Sequence, residues 1–323
     1  MKAMNIIPTC DLSIIIPLLN EADSLHELYE RCRIEVNALD LSYEFIFIDD
    51  GSTDNSAAII QELHQQDPHI KLIQFRHNYG KAAGLAIGFE AANGAIVITM
   101  DADLQDDPAE IPNLIAKIND GWDLVSGWKK KRKDPLTKRL PSKVFNYVTA
   151  KVTGLKIHDA NCGLKAYRYE VAKTVYPYLY GELHRYIPVL AHMEGFRVTE
   201  TVVVHHPRKY GTSKYGMWRF FSGFFDLTTV VFLNRYTKRP LHFFGILGLI
   251  TWATASLIAL YFFWVWLNEG ALRVRPMLLF AGFLAVIGVQ FFSMGLLGEM
   301  ITRFRQTPHT ADYLIKNRLG FTK

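Results

Sequence analysis

The chain has 323 residues, of which 50% are hydrophobic and 21% charged, and its formal net charge is +5. That composition excludes a disordered chain and a wholly membrane-embedded one, while the length allows one large domain plus something smaller. The three cysteines, Cys10, Cys32 and Cys162, are widely spaced, which suits a reducing compartment and argues against disulfides or a zinc site.

No cleavable leader is expected near Met1, because the first apolar run, Leu12 to Leu19, is short and Asn20-Glu21 ends it. Leu12 to Pro17 has strand character, and a polar, helix-like segment follows from Glu21 to about Leu39. Tyr43 to Ile48 reads as a second strand and runs into Asp49-Asp50-Gly51-Ser52-Thr53-Asp54. A helix over Asn55 to Gln66, a strand over Lys71 to Phe75 and a helix over Lys81 to Ala92 come next. Ala95 to Met100 is short and rich in β-branched residues, hence a buried strand, and Asp107 opens a helix reaching Asn119. Strands alternating with helices imply an α/β fold with a largely parallel sheet covered on both faces.

Acidic residues stand at three strand ends: Glu21, Asp49 with Asp50, and Asp101 with Asp103. No G-x-G-x-x-G turn follows the first strand, so the phosphate loop of a dinucleotide fold is missing. Carboxylates cannot bind a diphosphate directly. They bind its ribose and base by hydrogen bonds, or its phosphates through a cation. Asp101-Ala102-Asp103-Leu104-Gln105 closes a hydrophobic strand at the crevice where open α/β sheets take ligands. That context favours a divalent-metal site for a phosphorylated ligand over a solvated turn.

Beyond Gly127 the pattern changes. Lys129-Lys130-Lys131-Arg132-Lys133 reads as a solvated basic loop, and no nucleic-acid partner is expected. Leu140, Val144, Tyr147 and Val148 share one helical face, flanked by Arg139, Lys143 and Lys151. Met217, Phe220, Phe221, Phe224, Phe225 and Val231 oppose a polar stripe of Arg219, Ser222, Asp226 and Thr229, the pattern of a helix lying in a membrane interface. Two apolar stretches, Leu241 to Trp266 and Met277 to Leu297, are each long enough to cross a bilayer. Arg235, Lys238 and Arg239 precede the first span and Arg303 and Arg305 follow the second, against Arg273 and Arg275 between them. This bias places both termini in the cytoplasm of a plasma or inner membrane. The expected organisation is a catalytic domain over 1–213, an interface segment over 214–239, two transmembrane helices over 240–300 and a tail over 301–323. His205-His206 could suggest a metal pair, but neighbours on an extended segment point to opposite faces, so no such pair is expected.

Four segments in order carry a resemblance: Ile16-Pro17-Leu18-Leu19-Asn20-Glu21, Ile48 to Asp54, Asn78-Tyr79-Gly80-Lys81 and Asp101 to Gln105. They resemble the inverting GT-A glycosyltransferases of family 2, in the branch that loads sugars onto polyprenyl phosphates. That branch includes dolichol-phosphate mannosyltransferases and bacterial undecaprenyl-phosphate glycosyltransferases, and the likeness extends to the two C-terminal spans. The resemblance implies Mg²⁺ or Mn²⁺ at Asp101, Asp103 and Gln105, and a donor nucleotide held by Pro17, Glu21, Asp49, Asp50, Lys81 and Asp101. It implies that His158-Asp159-Ala160-Asn161-Cys162-Gly163-Leu164-Lys165 lies at the reaction centre, with Asp159 the important carboxylate beside Asp103. It places Arg208 and Lys214 in a basic loop closing over the phosphates, and Arg139 and Ser142 at the acceptor phosphate. Relatives often carry Tyr where this chain has Leu19, so a contact made by that ring is lost here. Relatives also self-associate through their membrane helices, which makes a homo-oligomer a possible state.

The implied reaction transfers one sugar from a nucleotide sugar to undecaprenyl or another polyprenyl phosphate. UDP-glucose is the first donor expected, from Cys162 to Lys165 and Tyr180 to Arg185; GDP-mannose and a UDP-aminopentose follow. A phosphate monoester has a second pKa near ~6, so the acceptor arrives ionised at pH 7 and needs positioning more than deprotonation. Asp159 is accordingly expected to orient rather than to abstract a proton. A processive polysaccharide synthase would carry Q-x-x-R-W, which is absent. A membrane-anchored nucleotide-sugar binding protein is the non-enzymatic alternative, in which the acidic strand ends are structural caps.

Overall fold

The computed structural model describes residues 8–130, 150, 153–207, 209, 240–270 and 276–305. The chain divides into two compact units, Ile6–Val230 and a C-terminal unit from Val231 onward.

In the first unit, continuous apolar runs become strands buried on both faces. Along β1 (Cys10–Leu18), Leu12, Ile14, Ile16 and Leu18 enter one core while Ile15 enters the other. β2 (Tyr43–Asp49) alternates in the same way, Phe45 and Phe47 against Ile46 and Ile48. The first core is closed by α1 (Ala22–Ala38), α2 (Ser56–Gln66) and α4 (Ile111–Asn119) through Leu25, Leu28, Ile60, Leu63 and Leu114. The second is closed by α3 (Lys81–Ala91), α5 (Tyr169–Val175) and α6 (Ile187–Met193) through Leu85, Phe89, Val171 and Ile187. At ~1.5–3 kcal/mol per large apolar side chain fully buried, these two layers supply the main drive for folding.

The remaining strands are β3 (Ile70–Gln74), β4 (Gly94–Thr99), β5 (Leu124–Trp128), β6 (Lys165–Arg168) and β7 (Val198–Val202). The sheet order is β3-β2-β1-β4-β6-β5-β7, with β6 antiparallel to both neighbours and every other pairing parallel. Six strands therefore end at one edge, and β6 begins there, with Lys165 opposite both Thr99 and Ser126. That reversal brings the 158–165 segment beside the end of β4.

The elements read from periodicity up to Asn119 agree with the structure within a residue or two. One start differs: Pro108–Glu110 is a 3-10 turn, capped by the Asp107 carboxylate accepting from Ala109 N at 3.1 Å, before α4 begins. A second proline, Pro112, in the first turn of α4 suits that break.

The C-terminal unit is an antiparallel hairpin of α7 (Pro240–Glu269) and α8 (Pro276–Arg305). Each has 30 residues, roughly 45 Å of helix at ~1.5 Å per residue, enough for a ~30 Å hydrocarbon layer. Leu257 and Phe283 are each 69% exposed. Apolar helices that expose large side chains on the faces turned away from each other are not the core helices of a soluble domain. Glycines let the two backbones meet: a Cβ on Gly248 would lie 3.0 Å from Gly288 O, and Trp252 Nε1 donates to Ala285 O at 3.1 Å. The interface helices expected around 140–151 and 217–231, residue 150 apart, and the tail beyond residue 305 lie outside the described residues.

Candidate active site

The loops at the carboxyl edge are tied to one another before any ligand enters. Asn20 adopts a left-handed conformation (φ 53°) and its side chain accepts from Thr53 N at 2.7 Å, while Asn20 N donates to Ser52 Oγ at 2.8 Å. Glu21, just ahead of α1, donates its N–H to Ser56 Oγ at 3.1 Å. Asp49 accepts from Ser52 N at 2.8 Å and from Gln74 Nε2 at 2.9 Å. Asp50 accepts from Tyr79 N at 2.7 Å and Gly80 N at 2.9 Å, fixing the entry to α3. Gly51 is required here: its φ is +77° and a Cβ would lie 2.7 Å from His77 C. Pro17, Glu21, Asp49 and Asp50 thus share one corner, and both aspartates have each oxygen engaged, by Ser52 and Gln74 for Asp49 and by Tyr79 and Gly80 for Asp50.

The next strand end carries the paired carboxylates. Lys81, at the start of α3, forms an ion pair with Asp101. Leu104 takes a left-handed conformation (φ 57°), strain on the order of 1–3 kcal/mol, and its side chain is buried in the first core. The turn leaves Asp103 buried, accepting from Gln105 N at 3.2 Å. Across from it the 158–165 segment packs directly on Asp101. A Cβ on Gly163 would lie 2.4 Å from Asp101 Oδ2, and Gly163 O accepts from Thr99 Oγ1 at 2.9 Å. Asp159 is buried; its Oδ1 accepts from Asn161 N at 3.2 Å and its carbonyl from Ser126 Oγ at 3.1 Å. Asp101, Asp103, Lys81 and the Asp159 segment therefore converge on one edge of the sheet.

Two cations at this edge have surroundings that sequence reasoning did not show: Lys165, which the resemblance placed only as the end of the reaction-centre segment, and Lys129. Lys165 is buried, its ammonium donating to Cys162 O, and burial lowers its pKa. Lys129 is not the solvated residue expected at the head of a basic loop. It directly follows β5, its side chain buried, with Nζ 2.7 Å from Asp106 Oδ1. His205 Nδ1 lies 3.5 Å from the same oxygen. Burial would raise the Asp106 pKa, but His205 and Lys129 outweigh it and hold the carboxyl at about 2. Lys129 shows the converse: burial opposes its charge, and Asp106 holds the ammonium above its ordinary range. Burial pushes the Cys162 thiol up to about 12, which makes it inert as a nucleophile. His206 Nε2 pairs separately with Asp107 Oδ2 at 2.8 Å, so the adjacent histidines serve different carboxylates. Spatial neighbours, not a local pattern, show that Lys129 and Lys165 are buried and what they pair with.

The donors expected for a metal, Asp101, Asp103 and Gln105, are all oxygens, the set a hard divalent cation prefers. Among the described residues no cluster of three or more His, Cys, Asp or Glu could hold a metal. Two carboxylates suffice where substrate phosphates and water complete the shell, the usual arrangement for Mg²⁺. Arg139, Ser142, Arg208 and Lys214 lie outside the described residues.

A profile described as Glycosyl transferase family 2 matches residues 13–176, which span the acidic strand ends, Lys81 and the Asp159 segment. This chain belongs to glycosyl transferase family 2. Its relatives include the dodecaprenyl-phosphate galacturonate synthase of Rhizobium johnstonii, 36% identical over 317 residues that cover 96% of this chain and 93% of that one. The undecaprenyl-phosphate 4-deoxy-4-formamido-L-arabinose transferase of Proteus mirabilis is 35% identical over 321 residues, covering 97% and 95%. In three dimensions the fold is similar to glucosyl-3-phosphoglycerate synthase from Mycobacterium tuberculosis, solved with Mn²⁺, UDP and phosphoglyceric acid. That match has a TM-score of 0.52 at 16% identity and covers 70% of this chain and 78% of the other. The family 2 member described here is a glycosyltransferase with the GT-A-like mixed sheet, joined in sequence to two helices long and apolar enough to cross a membrane.

Proposed function

We propose that the protein transfers a single sugar, with inversion, from a nucleotide sugar to a polyprenyl phosphate at the cytoplasmic face of a bacterial inner membrane. The observation that carries this reading is the close packing of Gly163 on Asp101, which sets the reacting segment against the paired carboxylates. The names of the relatives, sugar transferases and synthases acting on dodecaprenyl and undecaprenyl phosphate, support the acceptor.

A divalent cation held by Asp101, Asp103 and Gln105 supplies Lewis-acid neutralisation of the departing nucleoside diphosphate. The chain's own groups do the rest. Lys81 balances the Asp101 carboxylate until a cation takes its place, and Pro17, Glu21, Asp49 and Asp50 shape the nucleotide corner. Asp159 orients the sugar or the cations around it. Arg139, Ser142, Arg208 and Lys214 bind phosphate and relieve repulsion between donor and acceptor, Arg through bidentate contact and Lys as a point charge. The ionised acceptor oxygen attacks the anomeric carbon, the bond to the diphosphate breaks, and the lipid-linked sugar phosphate forms.

UDP-glucose remains the first donor to offer. A galacturonate donor and a 4-deoxy-4-formamido-L-arabinose donor stand beside it because the relatives are named for those sugars. The test is turnover by purified protein in detergent with undecaprenyl phosphate, Mg²⁺ or Mn²⁺ and a panel of radiolabelled nucleotide sugars. A lipid-extractable product from one donor, lost with EDTA and in Asp101→Ala, is expected. Absence of product from every donor, in protein that binds UDP and metal, refutes the transferase reading.

A further inference from the structure

Glu200 sits in the middle of β7, the last strand of the sheet, where an acidic side chain would ordinarily face water. It does not. Its Oε2 accepts from His158 N at 2.7 Å and from Asp159 N at 3.4 Å, and its Oε1 pairs with the His158 imidazole. Glu200 stands opposite Ser126 in the β5–β7 register, and Ser126 Oγ donates to Asp159 O at 3.1 Å. Two cross-strand neighbours therefore grip the Asp159 peptide from both sides, one at its N–H and one at its C=O. Two residues further along β5, on the same face, Trp128 stacks on His158 with ring centroids 4.2 Å apart and planes 12° from parallel. The segment from Leu155 to Leu164 is neither helix nor strand, so these contacts, rather than a ladder, set its course.

We propose that Glu200 is a positioning residue for sugar transfer, acting by holding the Asp159 peptide at the reaction edge. This rests on the role assigned to Asp159 above. A carboxylate is suited to the task because it accepts from two N–H groups and an imidazole at once. Glu200 grips the segment at His158 and Asp159, whereas Asp101 meets it at Gly163 and Asp103 belongs to a different loop, so a change at Glu200 is expected to disturb the Asp159 peptide more than nucleotide and metal binding.

The experiment uses the full-length protein in detergent with Glu200→Ala, Glu200→Gln, Asp159→Asn and the double variant Glu200→Ala/Asp159→Asn. Glu200→Ala is expected to lower kcat roughly 100-fold, the scale of a ~1 Å misplacement, with affinity for Mn²⁺·UDP within about twofold of wild type. Glu200→Gln keeps an acceptor oxygen for the two N–H groups and recovers about tenfold of that loss. The double variant is expected to be no slower than Asp159→Asn. Amide hydrogen exchange at 155–162 accelerates in Glu200→Ala and not in Asp101→Ala, a readout independent of turnover. A Glu200→Ala rate within threefold of wild type, an additive loss in the double variant, or unchanged exchange overturns the proposal. So does a loss of Mn²⁺·UDP affinity matching the loss of kcat, which would mark a structural role. If Asp159→Asn itself keeps the wild-type rate, the assignment of Asp159 fails and the positioning role with it. If Asp159→Asn is slow and Glu200→Ala is not, only the positioning role fails. Should Glu200→Ala not fold, Glu200→Gln carries the same comparisons.

Discussion

Replacing Gly163 by alanine probes the contact that assembles the site. The added Cβ would lie 2.4 Å from Asp101 Oδ2 and 2.7 Å from Asp101 Cγ, well inside van der Waals contact at about 3.5 Å. Gly163 has no positive φ, so the backbone accepts alanine without strain and the carboxylate must yield by roughly 1 Å. A carboxylate end moves cheaply, so the fold survives, but it then leaves its place beside Lys81 and Asp103. Misplacement by ~1 Å costs about 100-fold in rate, or ~2.7 kcal/mol of transition-state stabilisation. The control is Gly84→Ala in α3, where a Cβ would sit 3.5 Å from Ile48 and Pro17, an ordinary contact. That change is expected to leave activity intact and to stabilise by ~0.4–1 kcal/mol through helix propensity and chain entropy. The assay pairs lipid-linked sugar formation with thermal unfolding. Gly163→Ala retaining more than a third of wild-type kcat/KM, or losing activity only in step with its Tm, would show that Asp101 is not held by this contact.

Asp106→Asn tests the buried ion pair through pH. The carboxyl falls from an ordinary 3.8 to about 2, on the order of 2 kcal/mol. A depressed acid contributes stability that is present above its unfolded pKa and lost as pH falls through its folded value, so wild type and variant should converge between pH 4 and 2 by denaturant unfolding. A stability gap that is unchanged across that window refutes the pairing. Gly288→Val should open the helical hairpin, because a Cβ there meets Trp252 Cδ1 at 2.4 Å and Thr251 Oγ1 at 2.9 Å. Overpacking of this kind costs ~1–3 kcal/mol, and a variant with wild-type thermal stability in detergent would contradict it.

The first half of the domain was legible because its strands are apolar runs separated by amphipathic helices, and periodicity reads both. Leu12 to Leu18 shows its double burial in being apolar without alternation. The second half was harder. β6 has four residues and β5 and β7 five each, too few for a period to establish itself, and no local pattern shows that β6 runs antiparallel. The site divided along the same line. Asp101 and Asp103 stood out because they close a recognisable strand, and Asp159 entered only through resemblance. Lys129, Lys165 and Glu200 take their meaning from register across β4, β6, β5 and β7, which is long-range pairing. Lys129 looked solvated because it heads a basic run, and the carboxylate that overrides that tendency lies on another loop.

Resemblance assigns the acidic strand ends to metal or nucleotide, and their hydrogen bonds give a physical ground on which they differ. Asp49 and Asp50 bind backbone N–H groups of Ser52, Tyr79 and Gly80, so moving either carboxylate undoes a turn. Asp106 and Asp107 are each engaged by a histidine and by a cation, Lys129 and Arg31 respectively. Asp101 differs: it meets the ammonium of Lys81, the end of a long side chain rather than the backbone of a turn. An acid balanced by a movable cation can exchange that partner for another positive group, whereas one bound into a turn cannot. On this ground the proposed metal role suits Asp101 better than Asp49 or Asp50, whose carboxylates hold the turns at Ser52 and at Tyr79-Gly80.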